Sequence, residues 1–208
     1  MCAAAFMALT GAASAQEAST DFKVDIKALK AAEQQTPQIQ VTNVKDKVWR
    51  PKKWLELDVD LDAKKLVKTP GELNPMMDAM EVKFFVGLNK ADKSGKAYVL
   101  TATVTYANVP AKGVSEKSHL LMFASPATMT RLLDKADFSA QADIKALGVE
   151  VYYGGKVCGF ESSTGKGGQA RWWADLSKFT VIDGALVPKA KTPFSVLWGD
   201  YDIETKPQ

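Results

Sequence analysis

The chain has 208 residues, 46% of them hydrophobic, enough to bury one sizeable core, and its charge is close to balance, with 27 lysines and arginines against 24 aspartates and glutamates. Its basic residues are scattered; the nearest approach to a cluster is Lys47, Arg50, Lys52 and Lys53, so a nucleic-acid partner is not expected. The one uncharged apolar run lies at the N-terminus and is too short to span a bilayer, which argues against a membrane-spanning protein.

Cys2 to Ala13 are small and apolar, and Ala13-Ser14-Ala15 before Gln16 has the small-x-small form that signal peptidase cuts. Residues 1–15 read as a secretory signal peptide, with a buried N-terminal helix as the alternative. No Lys or Arg precedes the run, which places the expected start further upstream. Cleavage leaves Cys158 as the single cysteine, so no internal disulfide can form. It is expected as a small buried side chain, the alternative being a bridge to another chain.

Residues 16–36 form an N-terminal extension of ambiguous structure. Phe22, Ile26 and Leu29 fit a helix, whereas Phe22, Val24 and Ile26 alternate with Lys23, Asp25 and Lys27 as a strand would. Residues 37–208 make the main domain, and there the period is two. Leu55, Leu57, Val59 and Leu61 alternate with Glu56, Asp58, Asp60 and Asp62, as in an antiparallel strand with one wet face. Lysines from Lys45, Lys47 or Lys83 are expected across the ladder from these carboxylates. Met80 to Leu88 and Tyr98 to Tyr106 repeat the alternation, and His119 to Ala124 reads as a strand covered on both sides.

Ser125 and Pro126 open a short helix with Met129, Leu132 and Leu133 on one face. Gly154-Gly155 predicts a tight hairpin between Leu147–Tyr153 and Lys156–Phe160, and Asp183-Gly184 predicts another between Phe179–Ile182 and Ala185–Val187. Ile39 to Val48, Ala170 to Ala174 and Phe194 to Trp198 also read as strands. The expected fold is mostly β, an immunoglobulin-like antiparallel β-sandwich of about nine strands with one or two short helices.

The stretch CGFESSTGKGGQARWW, residues 158–173, invites a phosphate-loop reading. Gly159 stands six residues before Gly165, however, and Gly167 occupies the place of the hydroxyl that should follow Lys166. No helix follows, so Ser162 to Gln169 is expected as a flexible loop. The Asp58-to-Asp62 run lacks the glycine and terminal carboxylate of a calcium loop, since Ala63 and Thr69 stand there. His119 is the single histidine; neither a catalytic triad nor a usual zinc set assembles around it. No catalytic residue, metal ligand or cofactor is expected. The candidate contact residues are the tryptophans. Trp172 and Trp173 are adjacent, so one ring should face inward and the other outward, and Trp49 and Trp54 bracket Arg50-Pro-Lys-Lys53. Each is also readable as ordinary packing.

The signal, the segment Val48-Trp-Arg-Pro-Lys-Lys-Trp-Leu-Glu56, the Gly154-Gly155 hairpin and Arg171-Trp-Trp173 together resemble the pilus-like immunoglobulin-fold secreted proteins of mucin-degrading verrucomicrobial bacteria. The resemblance implies an extracellular or cell-surface domain, a periplasmic location being the alternative, that acts by contact with pilus or cell-surface proteins, mucin-type glycans or copies of itself. It brings no catalytic residues. True type IV pilins retain a long apolar helix after processing, which cleavage after Ala15 would remove here. Assembly would then use sheet edges, with the Phe22, Val24 and Ile26 strip added to a neighbour. The alternatives are a carbohydrate-binding module stacking sugar on Trp172 or Trp173, and a hydrolase of unrecognised site.

Overall fold

Leucine and valine at every second position place one whole side of residues 53–65 in the core. A computed structural model of the chain describes residues 19, 21–38, 42, 45, 50–67, 69–112, 118–164 and 171–206. In it Leu55, Leu57, Val59 and Leu61 of β2 (Lys53–Lys65) are fully buried. β1 (Phe22–Gln35) pairs antiparallel along one side of β2 and β7 (Ser118–Ala124) along the other. β11 (Leu186–Pro188) completes this four-stranded sheet in the order β1-β2-β7-β11.

The second sheet has five strands, ordered β10 (Thr180–Asp183), β5 (Ala97–Tyr106), β4 (Met80–Ala91), β8 (Ile144–Tyr153) and β9 (Lys156–Ser162). Val82, Phe84, Leu100 and Val149 from this sheet meet Leu57, Val59, Leu120 and Met122 from the first in one continuous core. Full burial of such side chains contributes about 1.5–3 kcal/mol each. β3 (Met76–Met77) and β6 (Val109–Pro110) form a separate two-residue ribbon. The result is the expected β-sandwich, with one departure from antiparallel pairing: β10 lies parallel to β5.

β1 resolves the ambiguity of its own sequence. The ladder to β2 shifts between Ile26 and Ala28, so Lys27 is an extra, bulged residue. Phe22, Val24 and Ile26 face inward before it, and Leu29 and Ala31 after it. Skipping one position turns a strand's spacing of two into a spacing of three, which imitates a helix. The segment set apart as an extension is thus an edge strand of the sandwich, and the Phe22, Val24, Ile26 strip is held within its own molecule. Phe22 meets Tyr153 edge-on at 4.5 Å, and the Ser19 amide donates to the Val157 carbonyl at 2.8 Å. β1 and β9 therefore close one side of the sandwich.

The helix forms as its sequence directs. Ser125 Oγ accepts from the Thr128 amide at 3.2 Å, Pro126 opens α1 (Pro126–Leu133), and Met129, Leu132 and Leu133 are buried. Together with the four-residue α2 (Ala140–Asp143), it carries the chain from β7 to β8 across the sandwich. Gly154 and Gly155, with φ of 56° and 77°, make the turn between β8 and β9. The Asp183-Gly184 turn departs from expectation, because β10 and β11 do not pair with each other. One joins β5 and the other β7, so the turn passes the chain between sheets.

Two segments expected as strands are instead coverings. Residues 171–174 form turns, and Trp173 packs with Phe85 and Val99 on the outer face of the five-stranded sheet. Residues 193–197 also turn, laying Phe194 on Leu121 and Phe123 of the four-stranded sheet. Both sheets carry aromatic groups on their outer faces that must leave water, and the two irregular segments shelter them. Ile39 to Val48, expected as a strand, lies largely outside the described residues, as do residues 1–15.

The free end of β10 is tied to the β4–β5 turn by Asp92. Its Oδ1 accepts from the Ser94 and Lys96 amides at 2.8 and 3.0 Å, and its Oδ2 from the Thr180 hydroxyl at 2.5 Å. Thr180 first, and Ser94 next, hold the carboxyl down at about 2. The unfolded value is higher, about 3.9, so this clamp stabilises fully above that pH and is lost as pH falls through about 2. Urea midpoints measured at descending pH should therefore fall less steeply below pH 4 in Asp92→Asn than in the parent. Parallel slopes would show that the clamp adds nothing.

Candidate functional site

The outward row of β2 is where burial, charge and aromatic exposure coincide. Its carboxylates were expected to face Lys45, Lys47 or Lys83, but the neighbours of β2 are β1 and β7, so the cations come from β1. Lys27, projected by the bulge, lies 3.5 Å from Asp62, and Lys30 stands across the ladder from Asp58. Lys83 belongs to the other sheet, beside Glu81; Lys47 is outside the described residues.

Asp58 is fully engaged. Its Oδ1 lies 3.0 Å from His119 Nδ1, and its Oδ2 accepts from the Tyr201 hydroxyl at 2.9 Å. The rings of His119 and Tyr201 stack at 4.2 Å, and the His119 carbonyl accepts from the Ile203 amide at 3.0 Å. Burial first, then the Asp58 hydrogen bond, pushes the Tyr201 hydroxyl up to about 12, so it remains a donor throughout the neutral range. His119 thus anchors the C-terminal segment. Nothing nucleophilic is hydrogen-bonded to it among the described residues, and its acidic neighbours lie on an outer sheet face rather than in an enclosed cavity.

Glu56 differs from Asp58. It is 9% exposed, and its Oε2 has no hydrogen-bond partner among the described residues. Directly across the ladders stand Ala32 and Phe123, neither of which carries charge. Burial pushes its carboxyl up; a hydrogen bond from Gln34 opposes the shift and the Asp58 charge adds to it. With Gln34, Leu121, Trp198 and Tyr201, Glu56 lines a depression of about 240 Å³.

Two of these five residues come from the C-terminal covering. Trp198 and Tyr201 are each 43% exposed, although the same segment buries Phe194. Trp198 adopts φ 52°, a left-handed conformation that costs a non-glycine residue about 1–3 kcal/mol. It is held there by Lys189, whose Nζ donates to the Trp198 carbonyl at 2.8 Å and pairs with Asp202 in a largely buried salt bridge. The ring of Trp198 lies parallel to Phe194 at 6.1 Å. Of the depression's wall, only the outward direction of Glu56 was legible beforehand. The Trp198-Gly-Asp-Tyr201 sequence carries a turn signal, but reading residues 194–198 as a strand obscured it.

The tryptophans singled out from the sequence occupy different settings. Trp173 is 3% exposed, stacked on Phe85 at 5.1 Å, with its Nε1 unpartnered among the described residues. Its ring covers Gly148 so closely that a Cβ there would stand 2.3 Å away. Trp172 is half-buried and its Nε1 donates to the Leu147 carbonyl at 3.2 Å. Trp54 is half-buried, donates to Thr36 Oγ1 at 3.1 Å, and meets Phe194 edge-on at 5.9 Å. Trp49 lies outside the described residues. Trp172 and Trp173 meet edge-on at 5.4 Å, whereas Trp54 belongs to the other sheet.

Other features are quickly placed. Cys158 is a buried free thiol whose pKa is raised by burial. Among the described residues no group of three or more His, Cys, Asp or Glu is placed to hold a metal ion, and no helix is long and apolar enough to cross a membrane. Residues 165–170 of the glycine-rich loop are outside the described residues. On the side opposite β1 and β9, an open cleft of about 960 Å³ lies between β5 and β11, lined by Thr103, Thr105, Asp183 and Lys191 among others.

Fold and site together define a two-sheet β-sandwich whose outer faces are covered by irregular aromatic segments, one of them bordering an acidic depression. A family model matches residues 15–208, nearly the whole sequence, and the chain belongs to that family. It is similar to a protein from Akkermansia muciniphila, a verrucomicrobe, known from a crystal structure: 25% identity, 90% of this chain and 94% of that chain covered, TM-score 0.72. No curated protein matches.

Proposed function

We propose that this is an exported, noncatalytic surface protein, pilus-like or pilus-associated, that works by contact, and that the outer face of its four-stranded sheet is the contact surface. The observation that carries the reading is the pair of rings, Trp198 and Tyr201, left open beside the Glu56 depression on a face where Phe123 and Phe194 are buried. Exposed rings next to an unsatisfied acceptor are a common anatomy of recognition sites. His119 serves as an anchor in this reading, and Glu56 serves as the ligand acceptor.

The test is binding of the exported chain to envelope proteins and to a mucin-type glycan array, with Trp198→Ala as the variant. Binding should fall by at least about tenfold in the variant, as for a central aromatic contact. Unchanged binding would overturn the choice of surface. Turnover of glycan or ester substrates by the parent would overturn the noncatalytic assignment. Export is checked by sequencing the N-terminus of protein recovered outside the cytoplasm, expected at Gln16.

A second reading, a carbohydrate-binding module, is favoured by the same exposed Trp198 ring with Gln34 and Glu56 as hydrogen-bonding groups at its edge. It moves the stacking platform from Trp172 and Trp173 to Trp198. Absence of sugar binding at millimolar concentration would remove it.

A further inference from the structure

The chemistry of the depression narrows what enters it. Asp58 uses both oxygens on His119 and Tyr201, whereas Glu56 Oε2 is buried without a donor among the described residues and has no cation directly across either ladder. A buried acceptor of this kind is costly to leave unpaired. The remaining wall consists of the Leu121 side chain and the rings of Trp198 and Tyr201, with Gln34 at the β1 side. Such a lining accepts an aliphatic stem along Leu121 and attracts positive charge to the ring faces.

We propose that the depression receives the lysine side chain of a protein partner, its alkylammonium group meeting the Glu56 carboxyl group and its methylenes lying between Leu121 and the two rings. The assignment rests on the contact surface named above and specifies its occupant. An ammonium fits better than a neutral sugar, whose several hydroxyls need more polar partners than Gln34 and Glu56 supply beside Leu121 and the two rings. The volume, about 240 Å³, suits one side chain.

The experiment titrates the ¹⁵N-labelled full chain with Nα-acetyl-lysine methylamide and with its Nε-acetylated counterpart, following the Trp198 indole N–H. The amine should give a saturable shift with half-saturation on the order of millimolar. The Nε-acetylated probe should give none. Glu56→Gln, nearly identical in shape, should weaken the amine response by about tenfold or more, as expected for loss of a charge-assisted hydrogen bond, while the backbone spectrum stays unchanged. Should that variant fail to fold, Tyr201→Leu removes one ring face and leaves the carboxylate, and the response should again weaken.

Equal responses to both probes, no saturable response to either, or full binding by a folded Glu56→Gln would overturn the assignment. Saturation by glucosamine but not by the lysine probe would overturn it in favour of an amino sugar. If the lysine probe fails while Trp198→Ala still abolishes partner binding, the surface stands and only its occupant is wrong. If both fail, both readings fall.

Discussion

Gly159→Ala is expected to force apart the closed side of the sandwich and lower Tm by roughly 6–12 °C. A Cβ at this position would stand 2.1 Å from the Val24 carbonyl oxygen and 3.1 Å from its carbon. The obstacle is backbone in a paired strand, so no side-chain rotation relieves it. β1 or β9 must move, and β1 carries Phe22 and Val24 into the core. The cost belongs at the upper end of the overpacking range, about 3 kcal/mol, which corresponds to roughly 2–4 °C per kcal/mol in a chain of this size. Gly199→Ala is the control, since nothing lies within 4 Å of its added Cβ. Thermal melts followed by circular dichroism decide it; a Gly159→Ala melt within a degree or two of the control would show that the edges are not in contact.

Phe194→Ala is expected to cost about 3–5 kcal/mol, the usual range for removing a buried aromatic ring. The ring lies parallel to Phe123 at 4.7 Å and meets Trp54 edge-on, so its loss leaves a cavity between covering and sheet. The Lys189–Asp202 salt bridge and the Ile203-to-His119 hydrogen bond still tether the segment, which argues for loosening rather than release. Hydrogen exchange should accelerate most in residues 192–203 and least in β4 and β5. Trp198 would no longer be held beside Glu56, so the lysine probe should bind more weakly as well. Equal acceleration across β4, β5 and the segment would show that the covering does not open separately from the core.

The sandwich was legible because sheet faces impose strict alternation, and β2, β5, β4 from Met80 to Leu88 and β8 from Leu147 to Tyr153 satisfy it. β1 was ambiguous because a bulge at Lys27 breaks the period, and a bulge shows itself only once a partner strand supplies a register. The Asp183-Gly184 turn was recognised as a turn but assigned the wrong consequence. Turn chemistry specifies how sharply the chain reverses and leaves open which neighbours its flanks meet. Residues 194–198 imitate a strand for a related reason: apolar residues in a covering segment need burial just as those in a strand do, and a short run shows no difference.

The sequence by itself determined the class of fold, the helix with its Ser125 cap and Pro126 start, the Gly154-Gly155 hairpin and the outward direction of Glu56, Asp58, Asp60 and Asp62. These depend on spacing and local stereochemistry, which are properties of neighbours along the chain. Tertiary structure alone decided which carboxylates are satisfied and which are not, Asp60 Oδ1 being, like Glu56 Oε2, without a partner among the described residues. Asp58 meets His119 and Tyr201 from segments 61 and 143 residues away, while Glu56 meets Ala32 and Phe123. Tertiary structure also buried Trp173 and left Trp198 open, because solvent exposure depends on what the rest of the chain lays across a face, and spacing carries no record of that.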